Sequence, residues 1–432
     1  MRRLVRENAL WAALAAAGCA ACAWLSLDGF AWSDYEVEAK PAFDALAHGH
    51  LLAFLRLAPA YGGSLVERAP FALAPDLWGG GALSLYRSVA VPGLLATGAL
   101  AIHIAGRMRG AGASPLAGAV AIAVCTASPL AQAALEEGHA EELLAGGLCV
   151  AAVVVAARAR SARAALAAGA LLGLAIACKQ WAVVAAGPAL LALGPPATPM
   201  RLRRVGLCAS GAALAAGVVL APLLAAGGGF AASTGAVALH AGELFQPWQV
   251  WWFFGWHGAL RHGAFGVPLP GYRTAPAWAG AISHPAVVLA ALALAGALWL
   301  NRRKRPLAER EALLALTLVL LARCMLDTWD IGYYMLPCLL ALLAWEAVSA
   351  PRTAPLWTLV LLVLPWFCLQ QLSEHAASPD AQAAAFLAWT VPLSCWLGVR
   401  LFSARPAPPL SSELAAADSR ARRAGDQLLS VS

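Results

Sequence analysis

Apolar runs close to the roughly 20 residues needed to cross a bilayer recur from one end of this chain to the other. Twelve are read, near 9–27, 83–105, 115–133, 143–157, 164–178, 181–194, 205–225, 285–300, 311–326, 335–349, 355–371 and 383–401. In lipid, a chain built this way can satisfy its backbone only as helices. The expected fold class is therefore all-α, a polytopic helical membrane protein of about 12 transmembrane helices. Composition points the same way: 12% of the 432 residues are charged, against about 25% in a soluble domain.

The loops between these runs alternate in character. Arg2, Arg3 and Arg6 lie before the first run. Every second loop is then basic: Arg107 and Arg109; Arg158, Arg160 and Arg163; Arg201, Arg203 and Arg204; Arg302, Arg303, Lys304, Arg305 and Arg310; Arg352. Arg400, Arg405, Arg420, Arg422 and Arg423 close the series, which takes in 22 of the 30 basic residues. Basic loops face the cytoplasm, so both termini are expected there, in a cell (inner or plasma) membrane. The net charge of +7 would suggest nucleic acid, but clusters confined between apolar runs set topology instead. These loops carry no Gly-rich phosphate cradle, which argues against a cytoplasmic nucleotide site. Met1 to Arg6 resembles a signal n-region, yet the apolar run continues past Cys22 to Leu27, so an uncleaved anchor is expected. Nearly all of the ten Cys lie in apolar runs and act as small hydrophobes. Cys19 and Cys22 lack the His or further Cys of a metal or redox motif.

Polar chemistry collects on the other face. One long loop spans 28–82 and another, rich in Trp, spans 227–284. Between them stand Glu136, Glu137, His139, Glu141 and Glu142, then the tight turn Lys179-Gln180-Trp181. Arg323, Asp327, Asp330, Tyr333 and Tyr334 follow, and Glu374, His375 and Asp380 come last. The stretch Ser33 to Gly49 places Asp34, Glu36, Glu38 and Asp44 just beyond the first run. A carboxylate at a membrane surface stays ionised while an apolar wall tunes it. It could serve as a base toward a water-soluble acceptor while the donor sits in lipid. Asp34, nearest the span, is the first choice and Glu36 the second; the bland alternative is a solvated acidic loop.

An anionic leaving group on that face would be held by Lys179, Arg87, Arg323 or His139. Lys179 leads, because a lone Lys between two apolar runs is costly without a partner. Its alternative is snorkelling to the interface. The aromatic belt Phe245 to Trp256 reads as a short helix or loop along the outer leaflet. No metal motif is present and no cofactor is required, though Glu136, Glu137, Asp327 and Asp330 supply carboxylates enough for a divalent ion. One transmembrane domain, 1–405, and a disordered cytoplasmic tail, 406–432, complete the organisation.

Asp34-Tyr35 followed by Ala45-Leu46-Ala47-His48-Gly49 resembles the first external loop of the GT-C superfamily of integral-membrane glycosyltransferases. Glu137-Gly138-His139, Gly173 to Lys179, and Arg323 through Tyr333-Tyr334-Met335-Leu336-Pro337 resemble the polyprenol-phosphate-mannose-dependent branch, glycosyltransferase family 87. His139 stands where that family has Gln. The resemblance implies a GT-C-like fold with long external loops. It implies transfer of a sugar (mannose or another hexose or pentose) from a polyprenyl-phosphate donor to a lipid, glycan or protein acceptor, with inversion. It makes the first-loop Asp the base, and it places Tyr35, Glu137, Asp327 and Tyr333 against substrate. The partners would be the bilayer, the polyprenyl-phosphate sugar and a lipid or glycan acceptor, with no nucleic acid. The competing class is a 12-helix secondary transporter or a flippase of a lipid-linked or small polar substrate. Carriers usually show two similar halves; here the long external loops follow the first and seventh runs only.

Overall fold

The computed structural model describes residues 2–28, 34–74, 79–193, 199–239, 245–262, 266–301, 305–375 and 378–403. The tail expected at 406–432 lies outside them. The chain is an all-α membrane protein, and eight of its helices are long and apolar enough to cross a bilayer.

Helix α1 (Arg2–Asp28) leads into a layer of short elements. These are a π turn (Tyr35–Ala39), α2 (Lys40–Ala47), α3 (Leu51–Arg56) and α4 (Gly62–Arg68). This layer is folded on its own, and Tyr35, Phe43, Phe54 and Leu65 pack with Tyr86 of the next helix into an apolar core. The bundle continues with α5 (Ala82–Gly110), α6 (Pro115–Ala127), α7 (Pro129–Glu136), α8 (Ala140–Arg158) and α9 (Ala162–Cys178). A 3-10 turn (Gln180–Ala185) then runs into α10 (Ala186–Ala192). After α11 (Pro199–Ala225) and α12 (Phe230–Leu239) come α13 (Ala277–Asn301) and α14 (Glu309–Leu326). A 3-10 turn (Gly332–Met335) precedes α15 (Leu336–Ser349), and α16 (Leu356–Pro365), α17 (Leu372–Glu374) and α18 (Pro379–Ser403) finish the chain.

Helices α8, α14 and α15 fill the centre, where Leu143, Val150, Leu313, Leu316, Leu339 and Leu343 are fully buried. On α11 and α13, by contrast, Leu202, Leu214, Val218, Leu289 and Leu292 point outward. Apolar side chains facing out along spans of this length suit lipid. Small residues set the closest approaches, as expected where helices associate by van der Waals packing. A Cβ at Gly169 would lie 2.0 Å from the Cys208 carbonyl oxygen, one at Gly173 2.2 Å from that of Ala212, and one at Gly211 2.5 Å from that of Leu166. The α9 and α11 backbones are thus in direct contact. Inside the helices, the hydroxyls of Ser26, Thr97, Thr126, Thr317 and Thr390 donate to carbonyls four residues back.

Two ends of the bundle can be told apart by their contacts. At one, Arg107 and Arg158 both grip Glu309, Arg204 donates to the Arg160 carbonyl, and Arg352 donates to that of Ala111. These residues come from loops the charge pattern assigned to one face. At the other end lie the junctions after α1, α7, α9 and α14.

The aromatic stretch 245–256 takes the loop form of the expected short helix or loop, with one 3-10 turn at Trp252–Phe254. It is a run of turns closed by a small hairpin, in which Arg261–His262 pairs antiparallel with Pro268–Leu269. Trp252 is fully buried and donates through Nε1 to Asp380 (2.8 Å). Arg273 grips the same carboxylate through Nε and Nη2, both at 2.8 Å. Only Phe253, Phe254 and Trp256 stand outward. The loop is also stitched to the end of α14, where Val250 N–H donates to the Met325 carbonyl and Gln246 N–H to that of Thr328.

Candidate functional site

The site is assembled by chain breaks at the ends of spans. Ser128 caps α7 by accepting the Ala131 N–H, and Pro129 opens the helix, so the span splits between α6 and α7. Helix α7 then ends at Glu137-Gly138. Gly138 has φ +87°, and a Cβ there would sit 2.7 Å from the backbone nitrogen of Tyr35. Only glycine allows this left-handed turn and this approach together. The consequence is that His139 comes to rest beside Asp34.

His139 is buried and joins two carboxylates. Its Nε2 lies 3.0 Å from Asp34 Oδ2, and its Nδ1 lies 2.7 Å from Glu141 Oε1. The rings of Tyr61 and Tyr333 flank it at 5.8 and 5.0 Å. Burial and Lys179 both push the imidazole down, but Glu141 and Asp34 outweigh them and hold it up at about 9. The stabilisation this gives is complete below the ordinary imidazole value and disappears as pH rises through about 9. The Asp34 side chain itself is 41% exposed, so its carboxylate lines the mouth of the site.

Behind His139 the charges continue inward. Glu141 also meets Arg68 at 3.2 Å and Lys179 at 3.1 Å. Arg68 is fully buried, supported by Ser64 and lying over the Phe43 ring. Lys179 sits 4.4 Å above the Tyr61 ring and 3.6 Å from Glu142. Burial alone would lower its pKa, but Glu141 and Glu142 hold the ammonium above its ordinary value. Glu142 in turn faces Arg323 at 3.7 Å and accepts the Trp181 indole N–H at 3.1 Å. The Arg323 guanidinium is clasped between the Trp181 and Tyr334 rings, 4.4 Å from each.

Four cations (Arg68, His139, Lys179, Arg323) thus face three carboxylates (Asp34, Glu141, Glu142). Arg68 Nη1, Arg323 Nε and Glu142 Oε2 find no hydrogen-bond partner among the described residues. Buried polar atoms left over in this way mark where water or a ligand enters.

Of the residues singled out by sequence, Asp34, His139, Lys179, Arg323 and Tyr333 come together. Glu137 stands open at the same turn. Tyr35 is fully buried, edge-on to Tyr86. His139 has both ring nitrogens on carboxylates, so it holds none toward a phosphate. Glu36 is exposed, and Arg87 lies over the Trp24 ring, away from the cluster. Asp327 belongs to a neighbouring pair: burial would raise its carboxyl, but His284, 3.6 Å away, holds it low. Asp330 is fully buried, and burial, with the charge of Asp327 added, keeps its carboxyl well above the usual range. Among the described residues no group of three or more His, Cys, Asp or Glu is placed to hold a metal.

Sequence reasoning missed Arg68, Glu141, Glu142 and Trp181 as site members. The two glutamates were placed in a loop; in fact α8 begins at Ala140 and they form its buried first turn. Paired acids at the start of an apolar run are a helix N-terminus signal, since anions are favoured there. Arg68 left no comparable mark. The chain matches no family model and no characterised protein.

Proposed function

We propose that this protein is a membrane glycosyltransferase that passes a sugar from a polyprenyl-phosphate donor to a hydroxyl of a lipid, glycan or protein acceptor on the external face. One observation carries the reading: a part-exposed carboxylate, Asp34, backed by a buried network that gathers four cations, Arg68, His139, Lys179 and Arg323. A sugar hydroxyl is a poor nucleophile and needs a base; a lipid phosphate needs cations as it departs. The first-loop resemblance supports the same assignment.

In this mechanism Asp34 takes the proton of the acceptor hydroxyl. The acceptor oxygen bonds to the anomeric carbon as the bond from that carbon to the phosphate oxygen breaks. The electron pair leaves with the polyprenyl phosphate, and attack opposite the leaving group inverts the centre. An ammonium has three N–H donors, and the two carboxylates beside Lys179 leave one for a phosphate oxygen. Arg323 supplies the unpaired Nε.

Orientation belongs to the same proposal. The shorter apolar segments Ala162–Cys178, Gln180–Ala192 and Leu356–Leu369 join α14 and the eight long spans to make twelve crossings with both termini inside. A reporter active only outside the cytoplasm should then work when fused after Gly80 or His262 and stay silent after Arg109, Arg204 or Lys304. The reverse pattern would remove the external site.

Lys179→Ala should raise the KM for a polyprenyl-phosphate sugar, lower kcat, or both. Loss of one charge-assisted contact is worth about 1.5–3 kcal/mol. Steady-state kinetics on purified protein in liposomes would measure it; unchanged constants with a lower yield would reduce Lys179 to a structural ion pair. The rival carrier reading draws on the same buried ion pairs, since ionisable groups inside a bundle also mark transport paths. Liposomes that accumulate lipid-linked sugar without transferring it would establish the carrier.

A further inference from the structure

We propose that His139 is the positioning residue for Asp34: as an imidazolium bridging Asp34 and Glu141 it keeps the base aimed, and loss of its proton switches transfer off. The proposal rests on the glycosyl-transfer reading of the site.

The geometry points to a charged ring. An ionised carboxylate only accepts hydrogen bonds. With Asp34 Oδ2 at 3.0 Å on one nitrogen and Glu141 Oε1 at 2.7 Å on the other, both nitrogens must carry hydrogen. Tyr61 lies edge-on to the ring and Tyr333 lies tilted against it, which limits how it can turn. The turn that carries it is confined as well, since even a Cβ at Gly138 would sit 2.7 Å from the Tyr35 nitrogen.

Charged groups face the ring from several elements among the described residues. Asp34 and Glu137 face His139 from the mouth, Glu141 from the first turn of α8, and Lys179 from the end of α9. Arg68 and Glu142 stand one contact further in.

Removing one proton has an asymmetric effect. Glu141 is fully buried between Arg68 and Lys179 and cannot move. The neutral ring therefore keeps its Nδ1 hydrogen on Glu141 and turns a bare Nε2 lone pair toward Asp34. Two lone pairs repel, and Asp34, 41% exposed, is free to swing into solvent. A displacement of about 1 Å at a reacting group is enough to cost on the order of 10²-fold in rate.

The test is a pair of measurements on full-length protein in liposomes of neutral lipid. The first is transfer from a polyprenyl-phosphate hexose to a water-soluble glycoside acceptor between pH 6 and 10.5, for wild type and His139→Gln. Wild-type kcat should fall about tenfold per pH unit above about 9. Gln keeps a neutral N–H donor in place of Nε2–H, so H139Q should run at roughly 10–100-fold lower kcat. Its donor KM should stay within about twofold, and the alkaline fall should be gone. A raised KM with unchanged kcat, or an alkaline fall that persists in H139Q, would overturn the proposal. The second is the titration of His139 followed by NMR of ring-labelled histidine, assigned by its absence in H139Q. The midpoint should lie near 9 and drop by a unit or more in Asp34→Asn; an ordinary midpoint, or none of that drop, would overturn the bridge. If no variant transfers sugar while the midpoint still responds to Asp34→Asn, the function reading has failed and the positioning role fails with it, though the ion bridge stands.

Discussion

Asp34→Asn is expected to cut sugar transfer by roughly 10²–10⁴-fold, the range for removing a general base. The change keeps the shape of the side chain and removes its negative charge. Helix packing should survive, because Asp34 stands at the mouth of the site and contacts the protein through one His139 nitrogen. Donor binding should survive as well, since Arg68, Lys179 and Arg323 are untouched. A radiolabelled polyprenyl-phosphate sugar would report both: transfer into acceptor for kcat, retention by the protein for binding. Glu36→Gln makes the natural companion, and its exposed position predicts near-normal transfer. Normal transfer by Asp34→Asn would move the base elsewhere, and Asp327, with its His284 partner, would be the next carboxylate to replace.

Glu141→Ala is expected to cost about 3–5 kcal/mol of stability, the usual penalty for removing one member of a buried ion pair. Three groups lose a partner at once, since Arg68, Lys179 and His139 all meet this carboxylate. Arg68 suffers most, because its side chain is fully buried. The measurement is a thermal melt in detergent, read by the fraction remaining monodisperse. Replacing both Arg68 and Glu141 with apolar residues of similar size should recover part of the loss, because the uncompensated charge disappears. A Glu141→Ala protein that melts like wild type would mean that the network is open to water and contributes little.

The sequence made the bundle readable because lipid imposes a length. The loop charges were readable too, and the grip of Arg107 and Arg158 on Glu309 gathers at one end residues assigned to one face by sign alone. The site was partly readable. Asp34, His139 and Lys179 stand at the ends of apolar runs, where a polar residue is conspicuous, and they meet in space. Which partner each would take was not readable. Asp34 reaches His139 across 105 positions, and nothing periodic links them. Glu141 and Glu142 were lost to a boundary error of a few residues, enough to turn a buried helix start into a solvated loop. Arg87 shows the opposite failure. It lies at the start of its span, yet its helix turns it onto Trp24.

The seam between α9 and α11 restricts how a long lipid can reach this cluster. Where a carbonyl of one helix lies within 2.0 to 2.5 Å of the place a neighbouring Cβ would occupy, no hydrocarbon tail can pass between the two. Sliding or rotating either helix would drive oxygen into carbon, so the pair behaves as a single beam. Lys179 rides at the end of that beam, at the C-terminus of α9. This side of the bundle is therefore a closed wall, and under the proposed function a polyprenyl chain would have to approach from elsewhere on the perimeter.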